Sequence, residues 1–285
     1  MANSEGYKIV QLANGAHSVH SCAHRETFHP VVGPEAEAEA LYIRQLRVPE
    51  RMALQTGEFV VWDVGLGAAG NAVHLLRSAA SQDAALRLVS FDHTSKPLEF
   101  ALKHTDALSY LRGYETPLAD LLRRHHAAFR QAQLQVQWDL QLADFPGLIA
   151  SPQASTLPKP HAVMFDAFSP ATNPAMWTLS LFENLFRLLD PARPCALPTY
   201  SRSTLLRVTL LLAGFYVGVG PAIGDKEETT IAANVRDLVA EPLDQTWLRR
   251  VHRSNSAEPL SEPVYRQAPL SPAAWDRLQA HPQFC

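Results

Sequence analysis

The sequence predicts an α/β fold in which a mostly parallel β-sheet carries helices on both faces. Three observations support this prediction. Short β-prone runs alternate with helical runs along the middle of the 285-residue chain. A glycine-rich turn at residues 65–70 joins the first of these strands to a helix. Hydrophobic residues make up 47% and charged residues 19% of the chain, as is typical of globular proteins.

The chain is predicted to begin with a β-hairpin followed by a helix. Two β-prone runs flank Asn14-Gly15, a pair that favours a type I′ turn, and they are residues 7–12 and 17–22. The helix is predicted over residues 34–48, because Pro34 is tolerated in a first helical turn. Pro49 is expected to end this helix.

The middle of the chain is predicted to supply a seven-stranded sheet. The strands are residues 58–64, 86–91, 134–142, 162–165, 195–200, 215–219 and 229–235. The helices are residues 71–80, 98–112, 118–132, 178–189 and 204–213. Pro198 has no amide N–H and weakens the fifth strand, whereas Gly214 suits the end of the last helix. The last two strands are expected to be an antiparallel pair.

No sequence feature marks a firm domain boundary. Residues 1–50 are expected to belong to the same unit as the core, residues 51–240. The loop over residues 151–160 is expected to lie on the surface of that core. Residues 241–285 form a Pro-rich tail that contains two tryptophans, and we expect it to pack on the core.

Composition excludes several classes of protein. Cys22, Cys195 and Cys285 are far apart and form no C-x-x-C pair, so we expect neither a disulfide framework nor a cysteine zinc site. No run of about 18 apolar residues is present, and the N-terminus lacks a secretion signal, so a cytoplasmic protein without a membrane span is expected. The net charge of −3 excludes a uniformly basic nucleic-acid binder but allows a local basic patch.

Other residue clusters carry weaker signals. Cys22, His24 and His29 lack a second pair of ligands, so no metal site is predicted. The chain has no G-x-S-x-G motif, so a hydrolase triad has no support. Two basic groups are either solvated surface or contacts to phosphate, and they are residues 123–126 and 249–253.

The glycine-rich turn is the first candidate binding site. Gly65, Gly67 and Gly70 give the pattern GxGxxG between a strand and a helix, which allows the backbone to approach a dinucleotide or another adenosine cofactor. Asp63 favours S-adenosyl-L-methionine, whose amino-acid end carries an ammonium, because a carboxylate would repel a pyrophosphate. Asp92, at the end of the second strand, could accept ribose hydroxyls in either case or could cap a helix.

Two more acids follow strands. Asp144 ends the third strand, where it could contact an adenine amino group or could be a plain loop carboxylate. Asp166 ends the fourth strand and begins the run Asp166 to Trp177, in which two prolines shape a loop. The carboxyl ends of central strands face the ligand cleft of open α/β sheets. Asp166 is therefore the strongest candidate for a functional acid.

The residues described above resemble those of a known family. The sequence is similar to the S-adenosylmethionine-dependent methyltransferase domain of the bifunctional tRNA 5-methylaminomethyl-2-thiouridine biosynthesis protein (MnmC type), over residues 12–235. The blocks that carry the resemblance are Glu26-Thr27-Phe28-His29, Gly33, Glu37-Ala38-Glu39-Ala40, the glycine turn with Asn71, residues 166–177, Thr199-Tyr200-Ser201, Ala213-Gly214-Phe215 and residues 220–226.

The resemblance implies a Rossmann-like class I methyltransferase that methylates the aminomethyl group of the wobble uridine in tRNA. It implies cofactor binding by Asp63, Gly65, Gly67, Asn71, Asp92, Asp144 and Asp166, with Asp166 also the catalytic acid. It implies substrate binding by His29, Tyr200, Ser201, Arg202 and Lys226. The expected cofactor is S-adenosylmethionine, without FAD or metal, because the flavin half of the bifunctional protein is absent. A monomer that binds tRNA and no membrane is expected.

The chain departs from the family pattern in two informative places. Gly67-Ala68-Ala69 stands where the family usually has Gly-Thr-Gly, and Lys226-Glu227-Glu228-Thr229 replaces a run with a second basic residue. Two alternatives stay open: an NAD(P)-dependent oxidoreductase that uses the same glycine turn, and a non-catalytic relative that binds S-adenosylmethionine or RNA.

Overall fold

The computed structural model describes residues 6–223 and 227–285, which fall into two compact units. Unit 1 consists of Met1–Asp144, Met164–Asp166 and Ile223–Glu227. Unit 2 consists of Phe145–Val163, Ala167–Ala222 and Glu228–Cys285.

Unit 1 begins with a small antiparallel sheet. Its strands are β1 (Tyr7–Gln11), β2 (His17–Ser21) and β3 (Glu26–Thr27). Strands β1 and β2 pair from Tyr7↔Ser21 to Gln11↔His17, and Gly15 in the connection has a φ of 86°. The predicted hairpin is therefore confirmed, and β3 adds a short third strand.

The helix predicted over residues 34–48 is broken into several pieces. They are α1 (Pro34–Ala38), a π turn (Glu39–Ile43), α2 (Arg44–Leu46) and α3 (Val48–Ala53). Arg47 has a left-handed backbone with a φ of 49°, and this residue ends α2. Pro49 was expected to stop the helix, but it lies in the first turn of α3, where a missing N–H costs nothing.

The main sheet of unit 1 runs in the order β6-β7-β5-β4, and the end of β8 lies beside β4. Its strands are β4 (Glu58–Val64), β5 (Ala85–Asp92), β6 (His126–Gln131) and β7 (Leu134–Leu142). Strands β4, β5 and β7 are parallel, and β6 is antiparallel to β7. The amide of Asp166 donates to the carbonyl of Val64 over 2.9 Å, which fixes the end of β8 next to the end of β4.

The helices of unit 1 that follow α3 are α4 (Gly70–Ala79), α5 (Lys96–Leu102) and α6 (Glu115–Arg124). The predicted helix over 118–132 was wrong in its second half. His125, with a φ of 55°, ends α6, and residues 126–131 form β6 instead. The predicted helix over 98–112 was also too long, since α5 ends at Leu102 and only a 3-10 turn, Ser109–Leu111, follows.

Unit 2 contains the order β10-β11-β9 and, beside β9, the start of β8. These strands are β8 (Ala162–Phe165), β9 (Ala196–Thr199), β10 (Tyr216–Gly220) and β11 (Thr229–Ala233). Strand β8 belongs in part to each unit. The strands β4 to β11 number eight rather than the predicted seven, because β6 lies where a helix was predicted. Pro198 is accommodated in β9 opposite Ile231 of β11, and β10 and β11 are the expected antiparallel pair.

The helices of unit 2 are α7 (Phe145–Ala150), α8 (Leu179–Leu188), α9 (Thr204–Leu212), α10 (Gln245–Val251) and α11 (Pro272–Gln279). Thr178 and Ser203 cap α8 and α9 through their hydroxyls, and Gly214 follows α9 with a φ of 110°. The described residues of unit 2 also contain three 3-10 turns: Pro152–Thr156 in the predicted loop, Pro174–Trp177 before α8, and Arg236–Leu238. None of the described helices is long and apolar enough to cross a membrane.

The chain after residue 241 contains two helices. They are α10 and α11, and residues of the same segment bond to β10: Leu243 donates its amide to Val217, and the side chain of Gln283 bonds both backbone groups of Val217. Edge strand β10 therefore has backbone partners on its outer side.

Candidate functional site

The glycine turn follows β4 at its carboxyl end. Gly65 and Gly67 have φ values of 94° and 51°, which L-residues rarely adopt. A Cβ on Gly67 would lie 3.2 Å from the ring of Phe28. Ala69, where the family usually has glycine, also has a left-handed backbone with a φ of 61°.

Asp92 connects the end of β5 to this turn. Its Oδ2 accepts the amide of Gly67 over 2.9 Å, and its Oδ1 accepts the amide of Thr94 over 3.2 Å. His93 Nδ1 lies 3.2 Å from the same Oδ1, and the hydrogen bond to Asp92 raises the pKa of His93. Helix α5 begins only at Lys96, so Asp92 is not its N-cap.

Asp63 lies inside β4 and is 1% exposed. Its Oδ2 accepts the hydroxyl of Ser90 over 2.7 Å, and that hydroxyl accepts the indole N–H of Trp138. Its Oδ1 is buried and has no hydrogen-bond partner among the described residues. Burial raises the pKa of Asp63 to about 7, against the opposing Ser90 bond, and the charges of Asp166 and Asp92 add to the rise. A cation beside Asp63 would favour its charged form.

Asp166 lies at the end of β8, and its Oδ2 is held from two sides. Asn71, in the first turn of α4, donates from Nδ2 over 2.8 Å, and His29 Nε2 lies 3.7 Å away. Tyr42 donates its hydroxyl to the carbonyl of Phe165 over 3.1 Å. Burial raises the pKa of Asp166, and His29 and Asn71 oppose that rise.

His29 connects Asp166 to a second acid. Its Nδ1 lies 3.6 Å from Glu37 Oε2, and Glu37 Oε1 accepts the amides of Val31 and Val32 over 3.1 and 3.4 Å. Burial opposes protonation of His29, but the bond to Glu37 and the charges of Asp166, Glu37 and Asp63 raise its pKa on balance.

The structure brings most of the predicted site residues of unit 1 together. Those joined by these contacts are His29, Asp63, Gly67, Asn71, Asp92 and Asp166, with Gly65 in the same turn. Asp144 is exposed, and its charge helps to raise the pKa of His93. The exposed carboxylate of Asp144 therefore lies near the Asp92 end of the cluster.

The predicted substrate residues Tyr200, Ser201 and Arg202 belong to unit 2 and make none of the contacts described above. Tyr200 donates its hydroxyl to the carbonyl of Ala167 over 3.1 Å, and its ring centroid is 6.1 Å from that of Trp177. Ser201 is half-buried and Arg202 is exposed. Lys226 lies outside the described residues.

Sequence reasoning missed Glu37 and Tyr42. Glu37 stands in one of the family blocks, but its bonds to two backbone amides are visible only in the fold. Tyr42 lies in the π turn, where the sequence pattern predicted a continuous helix. Such turns are frequent near functional sites.

This donor set suits a positively charged adenosine cofactor. The charges of Asp92 and Asp166 both raise the pKa of Asp63. Asp63 Oδ1 and Asn71 Oδ1 are buried without a partner among the described residues, so each can still accept a donor. No group of three or more His, Cys, Asp or Glu side chains in the described ranges could hold a metal ion.

The chain is similar in sequence to known methyltransferases. Residues 114–235 match the model of a family described as S-adenosyl-L-methionine-dependent methyltransferase. The tRNA 5-methylaminomethyl-2-thiouridine biosynthesis bifunctional protein MnmC of Pseudomonas putida strain W619 is 29% identical over 242 residues, covering 81% of this chain and 35% of that protein. MnmC of P. putida strain F1 is 30% identical over 233 residues, covering 77% and 34%. The chain thus spans about a third of the length of these curated relatives.

Solved structures show the same fold. MnmC2 from Aquifex aeolicus superposes with a TM-score of 0.65 at 22% identity, covering 97% of this chain and 85% of that one. Spermidine synthase from Thermotoga maritima superposes with a TM-score of 0.54 at 11% identity, covering 98% and 85%. The Rossmann-like α/β fold and the resemblance to MnmC proteins are therefore confirmed.

Proposed function

We propose that this chain, an S-adenosylmethionine-dependent methyltransferase related to the MnmC proteins, methylates the aminomethyl group of a modified wobble uridine in tRNA. The observation that carries the proposal is Asp166, a carboxylate at a strand end that Asn71 and His29 hold through one oxygen. The name of the relatives supports the choice of tRNA as substrate.

The cofactor would be held by residues of unit 1. Gly65 and Gly67 allow close approach of the backbone, and Asp92 would accept the ribose hydroxyls. The open Oδ1 atoms of Asp63 and Asn71 would accept the ammonium end, and Asp144 would contact the adenine amino group. When bound, S-adenosylmethionine supplies an electrophilic methyl group on a sulfonium. The clustered carboxyls favour that net positive charge.

Asp166 would orient the accepting amine and take the proton that it loses. A primary amine is mostly protonated at neutral pH, so a base must remove a proton before the amine can attack the methyl group. Burial raises the pKa of Asp166, which makes it a stronger base than an exposed aspartate. Positioning of the amine by this fixed carboxylate would supply much of the rate enhancement.

The tRNA substrate would be bound by residues that the family resemblance indicates. Tyr200, Ser201, Arg202 and Lys226 are the proposed contacts to tRNA, as the family resemblance implies. Arg123 and Arg124 were further candidates, but Asp120 forms an ion pair with each of them, over 2.9 and 2.6 Å. Those pairs make Arg123 and Arg124 poorer contacts for phosphate. We also propose a cytoplasmic monomer that needs neither FAD nor metal.

The test is methyl transfer from labelled S-adenosylmethionine to tRNA that carries 5-aminomethyl-uridine, followed by nucleoside analysis. We expect label in 5-methylaminomethyl-uridine and none in tRNA that lacks the aminomethyl group. Calorimetry should show binding of S-adenosylhomocysteine and no binding of NAD or NADP. Cofactor binding without methylation of any tRNA would favour a non-catalytic relative, and binding of NAD alone would favour an oxidoreductase.

A further inference from the structure

Unit 1 contains two histidine–glutamate pairs whose imidazoles are largely buried. His29 and Glu37 are 10% and 16% exposed in their side chains, and His74 and Glu39 are 16% and 33% exposed. The pairs differ in what lies on the other side of the imidazole. His29 faces Asp166 through its second nitrogen, whereas the second nitrogen of His74, Nδ1, is buried without a partner among the described residues.

The position of His29 is built by its surroundings. Its backbone is left-handed, with a φ of 48°. A Cβ on Gly70, the first residue of α4, would lie 3.2 Å from His29 Nε2, so the missing side chain makes room for the imidazole. Glu37 is fixed by two backbone amides and in turn faces His29 Nδ1. Both ring nitrogens therefore face carboxylates.

The charges around His29 all favour its cationic form. Glu37 faces it from α1, Asp166 from the end of β8, and Asp63 from β4. These three acids raise the pKa of His29 although burial opposes the rise. The cation has a reciprocal effect, because His29 is the largest influence opposing the burial that raises the pKa of Asp166.

We propose that His29, held by Glu37, is a positioning residue that in its cationic form keeps the Asp166 carboxylate charged and fixed for the accepting amine. This inference rests on the proposed function of Asp166. Without the cation, Asp166 would be buried beside Asp63 and Glu37 with only neutral donors to hold it. It would then take up a proton at a higher pH and lose the capacity to accept one from the amine.

His74 provides the matched control. Its Nε2 lies 2.8 Å from Glu39 Oε2, and it has the same chemistry as His29 without an interaction with Asp166. His74→Gln should therefore report what loss of a half-buried histidine–glutamate pair does to the fold alone. His29→Gln keeps an N–H donor near Asp166 but removes the positive charge.

The experiment compares wild type, His29→Gln, Glu37→Gln and His74→Gln. The first readout is kcat/KM for methyl transfer between pH 5.5 and 9, with calorimetry of S-adenosylhomocysteine at each pH. We expect His29→Gln to lose about tenfold or more at pH 7 and to recover as the pH rises, since one pKa unit is a tenfold change on the acid limb. Glu37→Gln removes a partner of His29 and also a charge that itself raises the pKa of Asp166, so it should shift the acid limb by less than His29→Gln does. His74→Gln should not shift the acid limb.

The second readout does not depend on activity. The carboxyl carbon of Asp166, followed by NMR in labelled protein, should titrate at a higher pH in His29→Gln than in wild type. An unchanged titration midpoint, or a loss of activity that is uniform across pH, would overturn the role of His29. If wild type methylates no tRNA but the midpoint moves, the assigned substrate fails and the effect of His29 on Asp166 stands. If His29→Gln does not fold, His29→Asn replaces it, because asparagine tolerates a left-handed backbone.

Discussion

The described residues of each unit include a buried charged cluster, and these two clusters differ in how completely their polar atoms are paired. In unit 2, Arg207 is 4% exposed, and all three of its side-chain nitrogens donate hydrogen bonds. Nε donates to Thr230 Oγ1 over 3.0 Å, Nη1 to Glu228 over 3.0 Å, and Nη2 to the carbonyl of Thr229 over 2.9 Å. This cluster is complete without any ligand.

The cluster of unit 1 is incomplete by the same measure. Asp63 and Asn71 each keep a buried oxygen without a partner among the described residues. The negative charges of Asp92 and Asp166 also raise the pKa of Asp63. Unpaired polar atoms and like charges cost stability. We therefore propose that a ligand completes the unit 1 cluster and that the unit 2 cluster stabilises the fold.

The largest expected effect is on activity, in unit 1. Asp166→Asn keeps the size of the side chain and removes its charge, so we expect the rate of methyl transfer to fall by about 10²–10⁴-fold, or roughly 3–5 kcal/mol. The affinity for S-adenosylhomocysteine should stay within about threefold. Thermal unfolding should not shift downward, because the wild-type carboxylate is itself desolvated.

Asp83→Asn is the control for this change, since Asp83 is an exposed aspartate of the same unit. It should match wild type in both rate and unfolding. A wild-type rate in Asp166→Asn would show that the two clusters do not differ as argued here.

The next largest effect is on stability, in unit 2. Arg207→Met removes all three donors and leaves Thr230 Oγ1 and the carbonyl of Thr229 without them in a buried position. We expect the free energy of unfolding to fall by about 2–4 kcal/mol. Urea titration followed by circular dichroism measures it. A loss below about 0.5 kcal/mol would contradict the view that this cluster stabilises the fold.

The acids at the strand ends could be predicted from the sequence. Asp92 and Asp166 each close a short β-prone run, and the carboxyl ends of parallel strands form the ligand edge in α/β folds. The glycine turn after β4 was predictable for the same reason. What local sequence does not encode is the pairing of Asp166 with Asn71 and His29, because these side chains come from segments far apart in the chain.

Two elements show where the prediction failed. Strand β6 contains Ala127, Ala128 and Arg130, residues that favour a helix, and it is a strand because it pairs with β7. Arg47 interrupts the predicted helix with a left-handed backbone, and a π turn precedes this break. Tyr42 lies in that π turn, so its contact with the carbonyl of Phe165 could not be predicted.

The third effect concerns Asp63 and the way in which the free energy of unfolding changes with pH. Burial raises the pKa of Asp63 from an ordinary 3.8 to about 7. Between those values the folded protein binds a proton that the unfolded chain does not, so stability from this group is present at low pH and falls as the pH rises toward 7. The contribution to the slope is about 1.4 kcal/mol per pH unit. Asp63→Asn should remove it in urea titrations from pH 5 to 8, and Asp83→Asn should not.

The smallest effect is expected for Glu228→Gln in unit 2. Glu228 is 35% exposed, so water and salt screen its charge, and glutamine keeps an acceptor for Arg207 Nη1. We expect less than about 1 kcal/mol of destabilisation, and a smaller difference from wild type at high salt. The same substitution at Glu37, which is 16% exposed, should instead move the pH profile of methyl transfer. Urea titrations at low and high salt and rate profiles of both variants measure the contrast. If Glu228→Gln shifted the pH profile as Glu37→Gln does, the cluster of unit 2 would belong to the chemistry as well, and its complete pairing would no longer mark it as structural.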